Sequence, residues 1–285
     1  MNLPAGETEQ FGPESGNGSV QFIGTATTLI RFGGLTMLTD PNFLHRGEQV
    51  HIGYGMHSTR LTDPAMELED LPPIDFVLLS HLHEDHFDKL VQKRLAKDTP
   101  ILTTPSAARS LRRRGFTRTW PLRTWDSIEV RKGSTSVRIS SMPGRHGPLV
   151  VSAMLPSVMG SMLEFDNGTG RPNYRMYISG DTLVYKDLEE IPRRYPHVDL
   201  ALLHLGGTRV LGILVTMNAE QGIEAMRIVR PNVTIPIHYN DYDVFKEPLN
   251  AFVRAVTAAG LQDLVEYLEP GGTYSFAPQP ALSAR

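Results

Sequence analysis

The residues best suited to chemistry sit in one short run, His81-Leu82-His83-Glu84-Asp85-His86. Three imidazoles beside Asp85 are costly to crowd together unless something binds them. In an extended chain, side chains two apart share a side. His81 and His83 can therefore face one point, while Asp85 and His86 face an adjacent one as the chain turns. That pattern suits two metal ions side by side better than one. The opposing reading, a solvated histidine-rich loop, is the ordinary fate of scattered histidines. Here, however, the cluster directly follows an apolar run, residues 76–79, that reads as a buried strand. Strand ends are where layered α/β proteins build their sites. A helical zinc-protease motif is excluded, because His83-Glu84 would need histidine at 87 and Phe87 stands there.

Composition narrows the chemistry. The 285 residues contain no cysteine, so any metal must be held by histidine and carboxylate. A hydrophobic content of 40% is enough for a sizeable core. The formal net charge of −3 argues against a nucleic-acid protein. No basic start followed by an apolar segment is visible, and no run of about 18 apolar residues occurs. The expectation is a cytoplasmic protein without stable membrane insertion, acting on a small-molecule substrate.

The elements that must position the cluster follow from pattern and punctuation. Residues 20–24 and 27–32 read as strands, and Gly33-Gly34 turns the chain into a third at 35–38. Asp40-Pro41 then breaks it; Asp40 either starts a turn or, as a family resemblance implies, lies near the metals. Residues 42–73 show little periodicity and hold His45, His51, Tyr54 and His57. They read as a rim over the site or as a plain surface loop. A helix is expected over 87–97. A second opens at Pro105 and ends in Arg112-Arg113-Arg114, read as a solvated helix end in preference to a phosphate patch. Strands are expected at 128–130, 136–142, 150–155, 161–165, 174–179, 199–205 and 233–237, and a closing hairpin at 264–276. Helical stripes at Ile223, Met226 and Val229, and at Leu249, Phe252 and Val256, read as core. His204 reads as a core residue or as a neighbour of the site. Each half runs strands and then helix, which fits an α/β protein with a four-layer αβ/βα sandwich. The domain reading is a flexible tail at 1–18, a single domain at 19–277 and a loose tail at 278–285.

The string His-x-His-x-Asp-His after an apolar strand resembles the metallo-β-lactamase superfamily. Asp40-Pro41 and the Leu-Pro-Pro-Ile-Asp before the strand resemble its branch with N-acylphosphatidylethanolamine phospholipase D and the ascorbate-6-phosphate lactonases. The likeness spans about residues 20–276. It implies that His146, in a glycine-rich turn after a strand, His238, in Pro-Ile-His, and Asp181, in Ser-Gly-Asp-Thr, complete the ligand set. His81, His83 and His146 then hold one ion, Asp85, His86 and His238 the other, and Asp181 bridges. Zinc is the first choice, with manganese next and iron possible. Two such ions imply a shared hydroxide nucleophile, oriented by Asp85 and Asp181. Metal binding can bring the pKa of water from 15.7 to about 7, a difference of roughly 12 kcal/mol. No side-chain nucleophile is then required. The implied reaction is hydrolysis of a small ester, lactone or phosphoester. The alternatives are a phospholipid-like phosphodiester and a metal-dependent ligand sensor without turnover.

Overall fold

The computed structural model describes residues 1–3, 17–53, 56–152 and 155–277. Three antiparallel strands, β1 (Gly18–Gly24), β2 (Thr27–Phe32) and β3 (Leu35–Thr39), begin the first sheet. A separate hairpin follows, β4 (Gln49–Gly53) and β5 (Met56–Thr59). The 42–73 stretch is therefore partly ordered as strand, although Tyr54 lies outside the described residues. Next come β6 (Phe76–Leu78), β7 (Ile101–Thr103) and β8 (Thr119–Pro121), which extend the sheet in parallel from β3. Helices α1 (Lys89–Arg94) and α2 (Pro105–Arg113) link them.

The second sheet starts with β9 (Ser127–Lys132) and β10 (Thr135–Met142), then β11 (Gly160–Asp166) and β12 (Tyr174–Ile178), all antiparallel. Between β10 and β11 lies the short helix α3 (Leu149–Ser152). Helix α4 (Glu190–Arg194) leads to β13 (Val198–His204), which runs parallel to β12. A small hairpin, β14 (Arg209–Val210) and β15 (Ile213–Leu214), precedes α5 (Ala219–Val229). Strand β16 (Pro231–Ile237) pairs in parallel with β13, α6 (Leu249–Ala259) follows, and β17 (Thr273–Phe276) returns to the first sheet beside β1.

The central strands are apolar on both faces, and this creates four layers. On β13, Leu200 and Leu202 point into a core shared with Phe22, Ile30 and Phe32 of the first sheet. Ala201 and Leu203 point the other way, onto Ile223, Met226 and Phe252 of α5 and α6. On the first sheet, Leu29, Leu38 and Val77 likewise face outward, onto Val91 of α1 and Leu111 of α2. A period of two that is apolar on both sides needs a helix on one side and a sheet on the other. The result is the expected αβ/βα sandwich.

Several local expectations are corrected. The 150–155 segment is no strand: α3 occupies its start, and residues 153–154 lie outside the described residues. Strand β10 is already paired on both sides, by β9 and β11, so this segment finds no free edge nearby. The first helix is shorter than 87–97, because the Asp88 carboxylate accepts the Val91 N–H at 2.7 Å and caps it. The closing hairpin at 264–276 does not form. Gln262–Leu264 is a 3-10 turn, Val265 bridges to Thr234, and β17 crosses to β1. The turn is fastened there by Gly271 N–H to the Phe22 carbonyl at 2.7 Å. Nor are residues 1–3 loose, since Leu3 N–H donates to the Arg131 carbonyl on β9 at 2.9 Å. The rest of the expected tail, 4–16, and the whole of 278–285 lie outside the described residues.

Candidate metal centre

Strands β3, β6, β10, β12, β13 and β16 all deliver residues of interest at their C-terminal ends. In the second sheet β10, β12, β13 and β16 share one direction, so these ends lie along one edge. Asp40 follows β3, the 81–86 run follows β6, His146 follows β10, Asp181 follows β12, His204 ends β13 and His238 follows β16. Two sheets packed face to face, with these strand ends along a common rim, thus bring together residues far apart in sequence.

The backbone turns needed there are unusual. Asp40 has φ 35° and His238 has φ 63°, left-handed values that side-chain-bearing residues seldom adopt. Strain of this sort persists only where surrounding bonds impose it. Asp40 is fixed by its own N–H to the Leu78 carbonyl at 3.1 Å, and His238 by its N–H to the Thr25 carbonyl at 2.6 Å. Gly180 also has a left-handed φ of 60°, and a Cβ added there would lie 2.6 Å from the Met159 carbonyl oxygen. Only glycine lets Asp181 be presented at this point.

All seven residues singled out in the sequence converge, in two adjoining groups. His81, His83 and His146 form one; Asp85, His86, Asp181 and His238 form the other. Within each, one ligating atom per residue lies within 4.8 Å of all the others. The His81 and His86 ring centres are 4.2 Å apart, so the groups touch. His81 Nε2 faces His83 Nδ1 at 3.0 Å, and His86 Nε2 faces His238 Nε2 at 3.2 Å. Two nitrogens on one tetrahedral cation, each at 2.0–2.1 Å, stand about 3.3 Å apart. The nitrogens are therefore already spaced as ligands of a common ion.

Second contacts set which nitrogen turns inward. His146 Nδ1 donates to the Val215 carbonyl at 2.9 Å, and His238 Nδ1 to the Leu205 carbonyl at 3.1 Å. A carbonyl only accepts, so each Nδ1 keeps its proton and each Nε2 presents a lone pair. His86 Nδ1 lies 3.1 Å from Asp40 Oδ2. Of the two readings of Asp40, the structure thus places it against a clustered imidazole. The same oxygen lies 3.4 Å from His204 Nε2, while Ser80 N–H donates to the other oxygen at 2.7 Å. Asp40, His86 and His204 accordingly form a third cluster, on the outer side of the His86 ring.

The electrostatics of the two groups differ. Burial pulls His83 down to about 4, carries His81 well below the ordinary histidine value, and lowers His146. These imidazoles stay neutral, with lone pairs available. In the other group burial also disfavours charge on His86 and His238. There Asp181, with Asp85, outweighs it, lifting His238 above its ordinary value and His86 well above. Burial would raise the two acids, but the facing imidazoles hold Asp85 down to about 2 and Asp181 well below the carboxylate range. The two acids call for positive charge beside them, which protons on His86 and His238 supply in the metal-free protein and a cation would replace.

The donor set meets that demand. Asp181 Oδ2 accepts from Thr216 Oγ1 at 2.9 Å, whereas Oδ1 is buried with no hydrogen-bond partner. Asp85 Oδ1 is buried and unpartnered in the same way. Leaving a buried carboxylate oxygen unsatisfied is costly, and a divalent cation removes that cost. The residues therefore fit metal. Sequence reasoning missed Thr216, Ser80 and the carbonyls of Val215 and Leu205. Nothing in their local sequence marks them; a threonine or a carbonyl acquires this role only through the fold. Beside His83 opens a groove of about 270 Å³, walled by Ile52, Leu82, Phe87 and Leu155, with Arg114 at its edge. Of the arginine triplet, then, one member reaches the groove.

Comparison with known proteins identifies the family and the fold. A model of the beta-lactamase superfamily domain matches residues 37–239. A metal-dependent hydrolase of Nanoarchaeum equitans is 26% identical over 216 residues, covering 73% of this chain and 89% of that protein. Among solved structures, an isothiocyanate hydrolase from Delia radicum gut bacteria superposes with a TM-score of 0.76 at 20% identity, over 91% of this chain and 99% of its own. The metallo-beta-lactamase fold protein YhfI of Bacillus subtilis gives 0.60 at 13% identity, over 92% and 100%. The fold is therefore the metallo-β-lactamase fold. These likenesses do not single out the branch of phospholipase D and ascorbate-phosphate lactonase. Among the described residues, no helix is long and apolar enough to cross a membrane.

Proposed function

We propose that this chain, which belongs to the beta-lactamase superfamily, is a metal-dependent hydrolase that uses two adjacent divalent cations to cleave a small ester, lactone or phosphoester. The single observation that carries this reading is the pair of adjoining donor groups, the second with buried Asp85 and Asp181 oxygens that accept no hydrogen bond and lie beside imidazoles. His81, His83 and His146 would hold one ion; Asp85, His86 and His238 would hold the other, with Asp181 shared. The nitrogen and oxygen donors suit zinc first, then manganese or iron. Such cations supply an activated water at neutral pH and stabilise negative charge on the substrate oxygen.

The chain's own residues do the rest. Thr216 pins Asp181 so that Oδ1 points at the facing imidazoles. Asp85 Oδ1, without a partner in the protein, is placed to accept a hydrogen bond from the attacking water and orient it. The Val215, Leu205 and Asp40 oxygens prevent ring rotation of His146, His238 and His86. The groove, with an apolar side at Ile52, Leu82, Phe87 and Leu155 and a polar side at Glu84, Gln92 and Arg114, would seat the substrate beside His83. We assign a cytoplasmic location and a small-molecule substrate, with no nucleic-acid partner. The balanced charge and the modest groove support that choice.

The test is hydrolysis of a generic lactone, bis-p-nitrophenyl phosphate and an aryl isothiocyanate by metal-free protein, with and without added zinc or manganese. Turnover of at least one compound that depends on metal supports the reading. No turnover of any by the fully metallated protein favours a ligand sensor instead. One observation favours a phospholipid-like substrate as the second reading. Leu149 is 73% exposed and Leu211, at the tip of the β14–β15 hairpin, is 88% exposed. The two segments are fastened to each other, since the Val215 carbonyl just after the hairpin accepts from Gly147 N–H at 3.1 Å and from His146 Nδ1 at 2.9 Å. Faster hydrolysis of vesicle-borne than of soluble phosphodiester distinguishes that reading.

A further inference from the structure

Among the described residues Arg60 is the largest fully buried side chain, and no carboxylate lies within ion-pair distance of it. A buried guanidinium without an acid is expensive, and folds retain one where it holds something else in place. Its Nη1 donates to Asn42 Oδ1, its Nε donates to the Thr62 carbonyl at 3.1 Å, and its plane lies 5.5 Å from the centre of the Tyr242 ring. Tyr242 Oη donates to the same Asn42 oxygen at 3.0 Å. Asn42 Nδ2 in turn donates to the Glu84 carbonyl at 2.9 Å.

One amide thus ties three loops together. Asn42 lies two residues beyond Asp40, Glu84 directly precedes Asp85, and Tyr242 lies four residues beyond His238. Thr27 Oγ1 completes the tie: it accepts from Asn42 N–H at 2.9 Å and donates to the Asp40 carbonyl at 2.8 Å. Each of these loops carries a member of the carboxylate-bearing group or its Asp40 brace, and the 81–86 loop carries His81 and His83 as well, on the other side of Glu84. None of the strut's hydrogen bonds goes to the His81, His83 and His146 group.

We infer that Arg60, Asn42 and Tyr242 are a positioning strut for the second metal site alone. The inference rests on the two-cation reading above. The strut fixes the spacing of Asp85, His86 and His238 while leaving the three-histidine site to stand by itself. Arg60 comes from the end of β5, so the strut also anchors the hairpin whose Ile52 walls the groove.

The experiment is metal titration of the metal-free full-length protein by calorimetry, with elemental analysis, for wild type, Tyr242→Phe, Arg60→Lys and Arg60→Met. Thermal unfolding of the metal-free forms is the companion measurement. Wild type should take up two equivalents. Tyr242→Phe should weaken one equivalent by about tenfold and leave the other within twofold, with little change in unfolding temperature; outer contacts to ligands typically act on this scale. Arg60→Met should weaken the same equivalent further, and Arg60→Lys should restore part of it. Two equivalents retained at wild-type affinity in Tyr242→Phe overturn the strut. Loss of both equivalents in parallel, together with lowered stability, also overturns it and leaves only a structural role. If Arg60→Met does not fold, Tyr242→Phe decides. Uptake of no metal by wild type removes the two-cation reading itself, and the strut with it.

Discussion

The two halves of the candidate centre solve different problems. The three-histidine group contains no acid, its imidazoles are kept neutral by burial, and His83 opens onto the groove. One backbone carbonyl, from Val215, orients His146. The other group concentrates Asp85 and Asp181 beside His86 and His238, and burial is nearly complete. It is braced from outside by Asp40, His204, Thr216 and the Asn42 junction. Neutral donors can be brought together by strand spacing and burial; charged donors in a dry interior need an outer ring of partners as well. The first group should therefore tolerate changes to its surroundings, and the second should not.

Variants can break or sharpen this contrast. The largest effect belongs to the shared residue. Asp181→Ala should lower kcat by about a thousandfold or more, the scale of losing a principal charge-stabilising group, and should weaken both metal equivalents. Steady-state hydrolysis with elemental analysis checks it. Next come residues of one group only. His83→Ala and His238→Ala should each remove activity, but elemental analysis should show each losing its own equivalent and keeping the other. Unchanged metal content in His83→Ala would reject the ligand assignment. A smaller effect is expected for Asp40→Asn, with the second equivalent weakened by about 10–100-fold and the first unaffected, as read by competition with a chelator. Gly180→Ala should act through stability. The strain at φ 60° and the clash with the Met159 carbonyl should cost about 1–3 kcal/mol in denaturant unfolding of the metal-free protein. His204→Gln should be mildest, since its polar contacts among the described residues go to Asp40 and Ser179 and its ring only flanks those of His86 and His238; a change of less than tenfold in kcat is expected.

What could be read in the chain divides along the same line. His81, His83, Asp85 and His86 announce themselves, because chemistry-bearing residues crowd one strand end. His146, Asp181 and His238 become visible only through the family resemblance of the loops that carry them, since a lone loop histidine or a turn aspartate is otherwise unremarkable. The layers follow from strands that are apolar on both faces, as in β13. The outer ring is not legible. Asn42, Arg60 and Thr216 sit in stretches without periodicity, and their partners lie at separations of 18 to 200 residues. The 150–155 segment was misread because a run of Val, Ser and Leu suits strand and short helix alike; only the absence of a free sheet edge decides. The 264–276 hairpin failed for a similar reason: the Gly271-Gly272 turn is real, but its bonds go to Phe22 rather than to the preceding segment.

The claim that two dissimilar halves cage a pair of cations is tested most directly by a crystal structure of the zinc-loaded full-length protein, with anomalous scattering recorded at the zinc edge. The account predicts two peaks about 3.5–4 Å apart, one ringed by His81, His83 and His146 and the other by Asp85, His86 and His238, with Asp181 between them. A single peak, or a peak on the outer side of His86 between Asp40 and His204, would contradict it.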